Sequence, residues 1–412
     1  MIGRETRGAI LAAVFGLAAL MVCAAALAIP AGVEKQRLPP GLQESGELRA
    51  YGSSRLLLLD GRGGRIIRID ADGSLDRSFG DGGRLEADAA DVIVDPQGRL
   101  LLASWGARPG SPEDYEAQVT RLLPDGRPDH SFGHKGVAFV DMGGRYDGAA
   151  ALALDRRGRI IVGGSKQTLP ESRGLSNAVP ALARLSPNGS VDRSFGNRGV
   201  TLLPSNGESG VFSLGVDGNG GIVAEGPAYI GTAVWRLNGS GALDRRFGKK
   251  GMVTIEGRGR YEQYGREEEL ELVDRVGVRP DGRILLAGTG SRYVEGARYR
   301  LVALRLRKDG RLDRSYGQHG YATARFAGWT FINSVSFLPG GGLVAVGDAQ
   351  APNHKRSDVG MIALDGDGRL YRRLIPKGKI TVPLSGWEEG NRSPCREGAR
   401  ASSGPAEARI SG

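Results

Sequence analysis

The sequence predicts an all-β fold, a six-bladed β-propeller of four-stranded antiparallel blades, preceded by one N-terminal hydrophobic helix. Three observations support this: one short phrase recurs six times, a second apolar phrase lies between its copies, and the 412-residue chain contains 67 glycines. That glycine share is roughly twice the usual one, yet far below the third that a collagen triple helix requires. Because the glycines are spread along the chain, we expect them to serve repeated turns.

The N-terminal segment, residues 1–30, is predicted to be a signal peptide or a transmembrane anchor. Residues 8–29 contain no charge and follow two arginines, which is typical of a membrane-insertion signal whose N-terminus stays inside the cell. The length suits a spanning helix, whereas the Ala-Leu-Ala at 26–28 is an acceptable cleavage site, so both alternatives stay open. We expect an extracytoplasmic protein, secreted or held at the membrane by this helix, with a linker over 31–46.

The first recurring phrase reads Leu-Asp-Arg-Ser-Phe-Gly in its fullest form, and successive copies are 52 to 69 residues apart. The copies begin at Leu75, Pro128, Val191, Leu243, Leu312 and Leu370. The second phrase is an apolar run introduced by a turn. Its copies begin at Ser53, Pro96, Arg156, Asn219, Pro280 and Pro339. Six copies of each phrase indicate six structural units, which we place in residues 47–385.

Each unit divides into four short apolar runs, which in the fifth unit are 275–279, 283–287, 301–305 and 320–325. The runs are rich in Val, Ile and Leu and are separated by Asp-Gly turns, a pattern typical of antiparallel strands. Four strands per unit at this period favour a propeller, whose blades close into a ring. An open array of antiparallel sheets is the alternative.

The two ends of the repeat region carry further predictions. A ring requires its terminal strands to meet, so we expect residues 380–384 to lie near 47–59. Residues 386–412 contain almost no apolar side chains and are predicted to form a disordered tail.

The two phrases together carry a resemblance to a known family. The run LDxSFGxxG followed by PDGRILLAG, at a period of about 60 residues, resembles the delta-60 repeat family of bacterial extracytoplasmic proteins. The resemblance covers residues 47–384. It implies a β-propeller and an extracytoplasmic location, and it carries over no catalytic residue and no assigned activity.

An Arg stands eight residues before the Asp of the first phrase in five of the six copies. In the sixth copy both charges are absent, since Ala363 and Tyr371 occupy the two positions. Joint loss is expected of a pair, because removing one partner would leave a buried charge uncompensated, at a cost of about 3 to 5 kcal/mol. A ring of ligand-binding Asp residues is the alternative. The predicted structural pairs are Arg68 with Asp76, Arg121 with Asp129, Arg184 with Asp192, Arg236 with Asp244, and Arg305 with Asp313.

Other repeated residues are also interpreted as structural. The aromatic three residues after the Asp is expected to form a wedge between blades. It is Phe79, Phe132, Phe195, Phe247 and Tyr316 in the first five copies. Asp-Gly pairs such as Asp125-Gly126 lack the spacing of a calcium loop and are interpreted as Asx turns. We therefore predict no metal and no cofactor.

Composition and motifs argue against several classes of function. The two cysteines, Cys23 and Cys395, exclude a disulfide scaffold, and four scattered histidines leave little for metal chemistry. The 56 Lys and Arg exceed the 46 Asp and Glu, but the excess is spread along the sequence, which argues against nucleic acid as a partner. The exported portion contains no G-x-S-x-G, H-E-x-x-H or C-x-x-C motif.

Function is expected on the face of the ring that carries the variable loops. The turns between the first and second strands, and between the third and fourth, are short and repeated, whereas the other loops vary and are the usual place for binding residues. The candidate ligand-binding residues are aromatic or Arg, types that favour recognition. They are Trp105, Arg108, Tyr115, Arg145, Tyr146, Tyr229, Tyr261, Tyr264, Tyr293 and Trp329.

These residues predict a non-catalytic binding or scaffolding module at the cell surface. Its partner is expected to be a protein or a cell-surface polymer, with the membrane contacted only through an uncleaved N-terminal helix. The alternative is a propeller hydrolase or lyase that acts on a sugar, lactone or peptide at the centre of the variable-loop face.

Overall fold

The repeat region folds into six sheets of four strands. The computed structural model describes residues 46–51, 55–60, 64–70, 74–168, 178–205, 210–228, 231–255, 275–290, 299–326, 330–338, 340–350 and 357–382. The predicted N-terminal segment, the linker before residue 46 and the predicted tail lie outside these residues. Among the residues described, no helix is both long and apolar enough to cross a bilayer.

Each blade is built from four consecutive strands. Blades 1 and 2 contain β1 (Gly46–Tyr51), β2 (Arg55–Asp60), β3 (Arg65–Asp70), β4 (Arg84–Glu86), β5 (Asp91–Val94), β6 (Leu100–Arg108), β7 (Ser111–Leu122) and β8 (Val137–Val140). Blades 3 and 4 contain β9 (Gly148–Leu154), β10 (Ile160–Lys166), β11 (Val179–Leu185), β12 (Val200–Leu202), β13 (Ser213–Val216), β14 (Ile222–Pro227), β15 (Thr232–Leu237) and β16 (Met252–Ile255). Blades 5 and 6 contain β17 (Arg275–Val278), β18 (Ile284–Gly290), β19 (Arg300–Leu306), β20 (Tyr321–Ala324), β21 (Thr330–Phe337), β22 (Leu343–Gln350), β23 (Ser357–Leu364) and β24 (Lys379–Val382). All neighbouring strands within a blade are antiparallel.

The middle strands are predominantly apolar and buried because both of their faces are covered. In β18 all seven residues are buried, and β3 is buried at its four central positions. A strand in the middle of a blade packs against one neighbouring blade on each side, so it does not show the alternation of a half-exposed sheet. The core therefore lies between blades, as where Val119 of blade 2 and Val162 of blade 3 share one buried cluster.

The ring closes through its inner strands. β1 packs against β5 of the next blade and against β21 of the last one. β24, the final strand, pairs with β23 of its own blade. Among the described residues, the first and last blades meet through β1 and β21, since each blade completes its own four strands. The predicted contact of residues 380–384 with 47–59 falls partly outside the described residues, which end at Val382.

The repeated aromatic residue is a wedge between blades, as predicted. All five aromatic side chains are fully buried. Phe79 of blade 1 packs against the turn of blade 2 at Gly126, where an added Cβ would lie 3.1 Å from the ring and 3.2 Å from the nitrogen of Gly80. Gly126 also has a φ of +92°, so this turn requires glycine both for its backbone conformation and for the close approach. The Asx interpretation is confirmed at Asp125, whose side chain accepts the N–H of Arg127 at 3.0 Å.

Candidate functional site

The structure brings five of the ten predicted ligand-binding residues to one place. Trp105, Arg108 and Tyr115 belong to a hairpin of blade 2, and Arg145 and Tyr146 belong to the loop that leads into blade 3. We call Trp105, Tyr115 and Tyr146 the aromatic patch. The other five predicted residues, Tyr229, Tyr261, Tyr264, Tyr293 and Trp329, lie outside the described residues.

The hairpin replaces one of the variable loops expected between the second and third strands. The sequence pattern predicts such a loop at residues 105–117 of blade 2, but β6 and β7 continue through them, with Trp105 opposite Ala117 and Ala107 opposite Tyr115. The hairpin turns at Gly110, which has a φ of +88°. The Pro-Gly pair at 109–110 and the flanking aromatic residues were the available signals, because Pro-Gly favours a turn and aromatic residues favour strands.

The aromatic patch is exposed but held in a defined geometry. The exposed fractions of Trp105 and Tyr115 are 56% and 41%. Both residues lie on one face of the hairpin. Tyr115 is directly opposite Ala107, and Trp105 is two residues before Ala107 on the same strand, where the side chain returns to the same face. The ring of Tyr115 stacks on that of Tyr146, with centroids 6.2 Å apart and planes inclined by 24°. The backbone fixes this stack, since the N–H of Tyr115 donates to the carbonyl of Arg145 at 3.0 Å.

A buried carboxylate organises the loop beneath the patch. Asp147, 1% exposed, accepts hydrogen bonds from the N–H groups of Met142 at 2.6 Å, Gly144 at 3.2 Å and Gln167 at 3.2 Å. Burial raises the pKa of Asp147, and the three N–H groups oppose that rise. The carbonyl of Gln167 in turn accepts the N–H groups of Arg145 and Tyr146. Sequence reasoning missed Asp147, because a single Asp before a strand resembles any loop residue.

The charged groups around the patch are paired. Arg108 donates to Glu116 at 2.9 Å, and burial raises the pKa of Glu116 although the charge of Arg108 opposes the rise. Arg145 donates to Glu113 at 2.9 Å and to Asp114 at 3.1 Å. These exposed pairs orient the Arg145 guanidinium more than they stabilise the fold, since such pairs contribute about 0 to 1 kcal/mol.

A cleft begins beside the patch and follows the outer edge of blade 3. Its volume is about 1490 Å³, and it extends from Arg108 and Lys166 to the turn that holds Arg193 and Arg198. Two apolar side chains in it are exposed, Val191 and Leu202. The cleft therefore offers basic and apolar contacts next to the aromatic patch.

The polar groups at the inner strands link blades. The Asp91 carboxylate of blade 2 accepts the N–H of Leu152 in blade 3 at 2.8 Å, and the Ser213 hydroxyl of blade 4 accepts the N–H of Val276 in blade 5 at 3.0 Å. The Thr289 hydroxyl of blade 5 likewise accepts the N–H of Ile332 in blade 6 at 3.0 Å. The described residues contain no cluster of three or more His, Cys, Asp or Glu suited to a metal.

Four of the five predicted Arg–Asp pairs form, and they share one geometry. The Nε of the Arg lies 2.8 Å from the Asp Oδ2 in blades 1, 2, 3 and 5. In blade 2, Ser131 completes the arrangement: its hydroxyl donates to Asp129 at 2.6 Å and accepts from Arg121 at 3.1 Å. The Arg121 guanidinium also lies 4.5 Å from the centre of the Phe132 ring and donates to the carbonyl of Pro187 in blade 3 at 2.5 Å.

A second Arg, which sequence reasoning missed, approaches each of these carboxylates. It comes from the start of the second strand, and its guanidinium lies between 3.1 and 3.7 Å from the same Asp oxygen. The four residues are Arg55, Arg99, Arg159 and Arg283. The second phrase carries this Arg in the same copies, so a comparison of the two phrases could have found it.

The prediction for blade 4 was wrong. Arg236 does not pair with Asp244; it donates to Asp217 at 2.6 Å and to the carbonyl of Gly282 in blade 5 at 3.0 Å. Two changes explain the exchange: Gly221 stands where other blades carry the second Arg, which frees Asp217, and Arg246 replaces the Ser and pairs with Asp244 at 3.1 Å.

Three stretches of the chain, residues 60–79, 158–195 and 279–316, match the model of a family described as a domain of unknown function (DUF5122) beta-propeller. Each stretch ends at the wedge aromatic of the first phrase, Phe79, Phe195 or Tyr316. With the six-bladed structure, the match supports membership of a propeller repeat family.

Solved structures with a similar chain path were also found. One is a protein of unknown function from Bacteroides caccae, with 12% identity over 80% of this chain and 93% of that chain and a TM-score of 0.42. Another is virginiamycin B lyase from Staphylococcus aureus, with 9% identity over 83% and 85% and a TM-score of 0.39. A third is a glucose dehydrogenase, with 15% identity over 76% and 96% and a TM-score of 0.40. At these values the similarities carry no argument about activity. No curated protein matches the chain.

Proposed function

We propose that this protein is an exported, non-catalytic binding module that holds a polysaccharide of the cell surface on its aromatic patch. The observation that carries the proposal is the exposure of Trp105 and Tyr115 beside a stacked Tyr146, on a hairpin that extends beyond its blade. The export step and the closer assignment to the delta-60 repeat family belong to the same proposal, and they rest on the apolar segment 8–29 and on the two repeated phrases.

The chemistry of the patch suits a chain of sugar rings. Exposed aromatic rings present flat apolar surfaces, and the paired Arg108 and Arg145 at the edge present N–H donors for hydroxyl groups. The patch is small, whereas a stable protein interface covers about 800 Å² on each partner. A few sugar residues therefore fit it better than a folded protein does.

The loop beneath the patch favours binding without rearrangement. The Asp147 carboxylate and the Gln167 carbonyl hold the backbone that carries Arg145 and Tyr146. Affinity rises when the bound geometry is already present in the free protein, because less conformational entropy is lost.

Binding of the full chain to an array of cell-surface glycans, compared with its Trp105→Ala variant, tests the proposal. We expect the variant to bind about tenfold more weakly or worse, because an aromatic hot spot contributes more than about 1 kcal/mol. Phe212→Ala is the matched control, since Phe212 is also an exposed aromatic side chain, at 45%, but lies outside the patch. Equal binding by all three proteins would refute the assignment of the patch.

The enzymatic alternative predicts a different outcome of the same experiment. A hydrolase or lyase would shorten a glycan or peptide that it binds, so the eluted ligands are examined by mass spectrometry. Cleavage that survives Trp105→Ala would place the activity elsewhere on the ring and would replace the proposed binding role. Fractionation of cells that express the tagged chain tests export separately.

A further inference from the structure

The turns between the third and fourth strands carry a ring of exposed basic residues at two equivalent positions. The first position follows the Asp of the first phrase, and the second precedes the glycine that ends the turn. The first holds Arg77, His130, Arg193, Arg245, Arg314 and Arg372, and the second holds Lys135, Arg198, Lys250, His319 and Lys377. All eleven are exposed, and we call the nine Lys and Arg among them the rim cations.

The side chains of the rim cations form no hydrogen bond and no ion pair with one another or with any other residue that the structure describes. Neighbouring cations in the same turns do: Arg121 binds Asp129, and Arg127 binds Asp125. The charge of the rim cations is therefore available to a partner.

The backbone at the second position gives an independent argument. Lys135, Arg198, Lys250 and Lys377 have φ values between +52° and +61°, a left-handed conformation that long side chains seldom adopt. In blade 1 the corresponding residue is Gly82, with a φ of +58°, so glycine satisfies the turn. Lys or Arg at a position where glycine costs less stability indicates that the positive charge has a use outside the fold.

The fold also gathers the net charge of the chain on this face. The six equivalent turns, residues 70–84, 123–137, 186–200, 238–252, 307–321 and 365–379, contain 19 Lys and Arg against 12 Asp. Their excess of seven compares with +10 for the whole chain, and the turns of blades 3 to 6 supply it. The excess is spread along the sequence, but the repeat brings most of it to one face of the ring.

The arrangement fits a flat anionic surface better than a single anionic chain. The turns of blades 1 to 5 have the same backbone hydrogen bonds, and the turn of blade 6 keeps those donated by the N–H groups of Tyr371 and Leu374. The rim cations therefore occur at the same edge of the blades around the ring. A flat surface can meet many of them together. A linear polymer that follows the cleft of blade 3 reaches only Arg193 and Arg198 among them. We infer that this face of the ring docks onto the headgroups of an anionic lipid bilayer, independently of the aromatic patch.

Binding of the full chain to phosphatidylglycerol vesicles, with phosphatidylcholine vesicles as the reference, tests this inference. The uncharged segment 8–29 is present in every protein compared and can insert into both kinds of vesicle. The part of the binding that requires phosphatidylglycerol and is reversed by salt therefore reports on the rim cations. We expect Lys250→Gly combined with Lys377→Gly to weaken this component about 25-fold, since each Lys or Arg near such a surface contributes roughly fivefold. The same variant should melt no lower than the parent, because glycine suits both positions.

The matched control removes one cation from the opposite face. Lys166→Gln makes the same change in net charge as Lys250→Gly alone, which we expect to weaken binding about fivefold. Lys166 is the last residue of β10 and lies roughly 20 Å along that strand from the turn at its start, twice the Debye length of about 10 Å at 0.1 M salt. We expect Lys166→Gln to have less than a twofold effect. Equal losses in Lys166→Gln and Lys250→Gly, or equal binding to both kinds of vesicle, would overturn the inference. Salt-reversible binding to dextran sulfate without binding to phosphatidylglycerol would reassign the face to a soluble anionic chain.

Discussion

Removal of one motif carboxylate should destabilise two blades at once, and Asp129→Ala is the clearest case. Asp129 holds the Nε of Arg121 at 2.8 Å and accepts both the hydroxyl and the N–H of Ser131. Arg121 is 4% exposed and also donates to the carbonyl of Pro187 in the next blade. The substitution would leave a buried guanidinium without its nearest counter-charge and would loosen the contact between the blades.

The magnitude follows from the burial of the pair. Breaking a deeply buried pair costs about 3 to 5 kcal/mol. Because Asp129 lies in a turn at the edge of its blade, we expect a smaller loss of about 2 to 3 kcal/mol. After the substitution Asp95 still favours the charged form of Arg121, whereas the charge of Arg99 opposes it. The entropy of unfolding of roughly 340 residues converts this loss into a fall of about 3 to 4 °C in the melting temperature.

The assay is thermal unfolding followed by circular dichroism, with Asp125→Ala as the matched control. Asp125 lies four residues away in the same turn, and its exposed pair with Arg127 should contribute less than about 1 kcal/mol. A weak exposed pair is expected to change the melting temperature by only about 1 °C. If the melting temperatures of the two variants differ by no more than that, the buried pair does not stabilise the contact between blades and the reasoning fails.

Three further predictions concern pH, glycine and the loop beneath the patch. Burial alone would raise the pKa of Asp129, but the hydrogen bonds from Ser131 and the charge of Arg121 outweigh it and lower that pKa. The pKa of Asp129 in the unfolded chain is about 3.9. The carboxylate therefore stabilises the fold above that pH, and the stabilisation is lost as the pH falls through the lower pKa of the folded protein. The difference in stability between the parent and Asp129→Ala, measured by urea unfolding, should shrink below about pH 4. Gly126→Ala should cost more stability than Gly110→Ala, because both have a φ near +90° but only the added Cβ at 126 meets the Phe79 ring, and equal melting temperatures would contradict this. Asp147→Asn should cost about 1 to 3 kcal/mol and speed hydrogen exchange at Met142 and Gly144, whereas Asp141→Asn, at an exposed acceptor of one N–H, should do neither.

The internal repeats explain why much of the fold could be predicted. Six copies of one phrase show which positions stay constant, so the wedge aromatic and the turn glycine were recognisable without any other sequence. The alternating order of the two phrases also gave four strands per blade. Closure of the ring was harder, because β1 and β21 meet by packing alone and no repeated residue marks that contact.

Blade 4 shows a limit of reading one phrase at a time. The spacing of eight residues between Arg236 and Asp244 matches the other copies, yet the two side chains do not pair. The decisive residues are Gly221 in the second phrase and Arg246 within the first. Blade 4 lacks the Arg that other blades carry at the position of Gly221 and gains Arg246 at the position of the Ser. Only a comparison of both phrases together shows that the number of Arg residues stays the same.

The candidate site was only partly predictable because it does not repeat. Trp105 and Tyr115 were found from residue type and loop position, and their separation along the chain gave no sign that they share one face of a hairpin. Asp147 contributes through three backbone N–H groups, a role that depends on where the chain folds and leaves no pattern in the sequence.

The two faces of the ring are under different constraints, so the proposed glycan contact and the proposed bilayer contact lie on different faces. On the turn face, blades 2, 3, 4 and 6 present the same carbonyl to the Arg of the preceding blade, so the backbone there varies little. Only side chains that point away from this contact are free, and those are the positions that hold the rim cations. On the opposite face the loops are not needed by the neighbouring blade, so the chain there can lengthen, as β6 and β7 do. A repeated partner surface such as a bilayer is therefore met by repeated charges, and a single small ligand by the one hairpin that departs from the repeat.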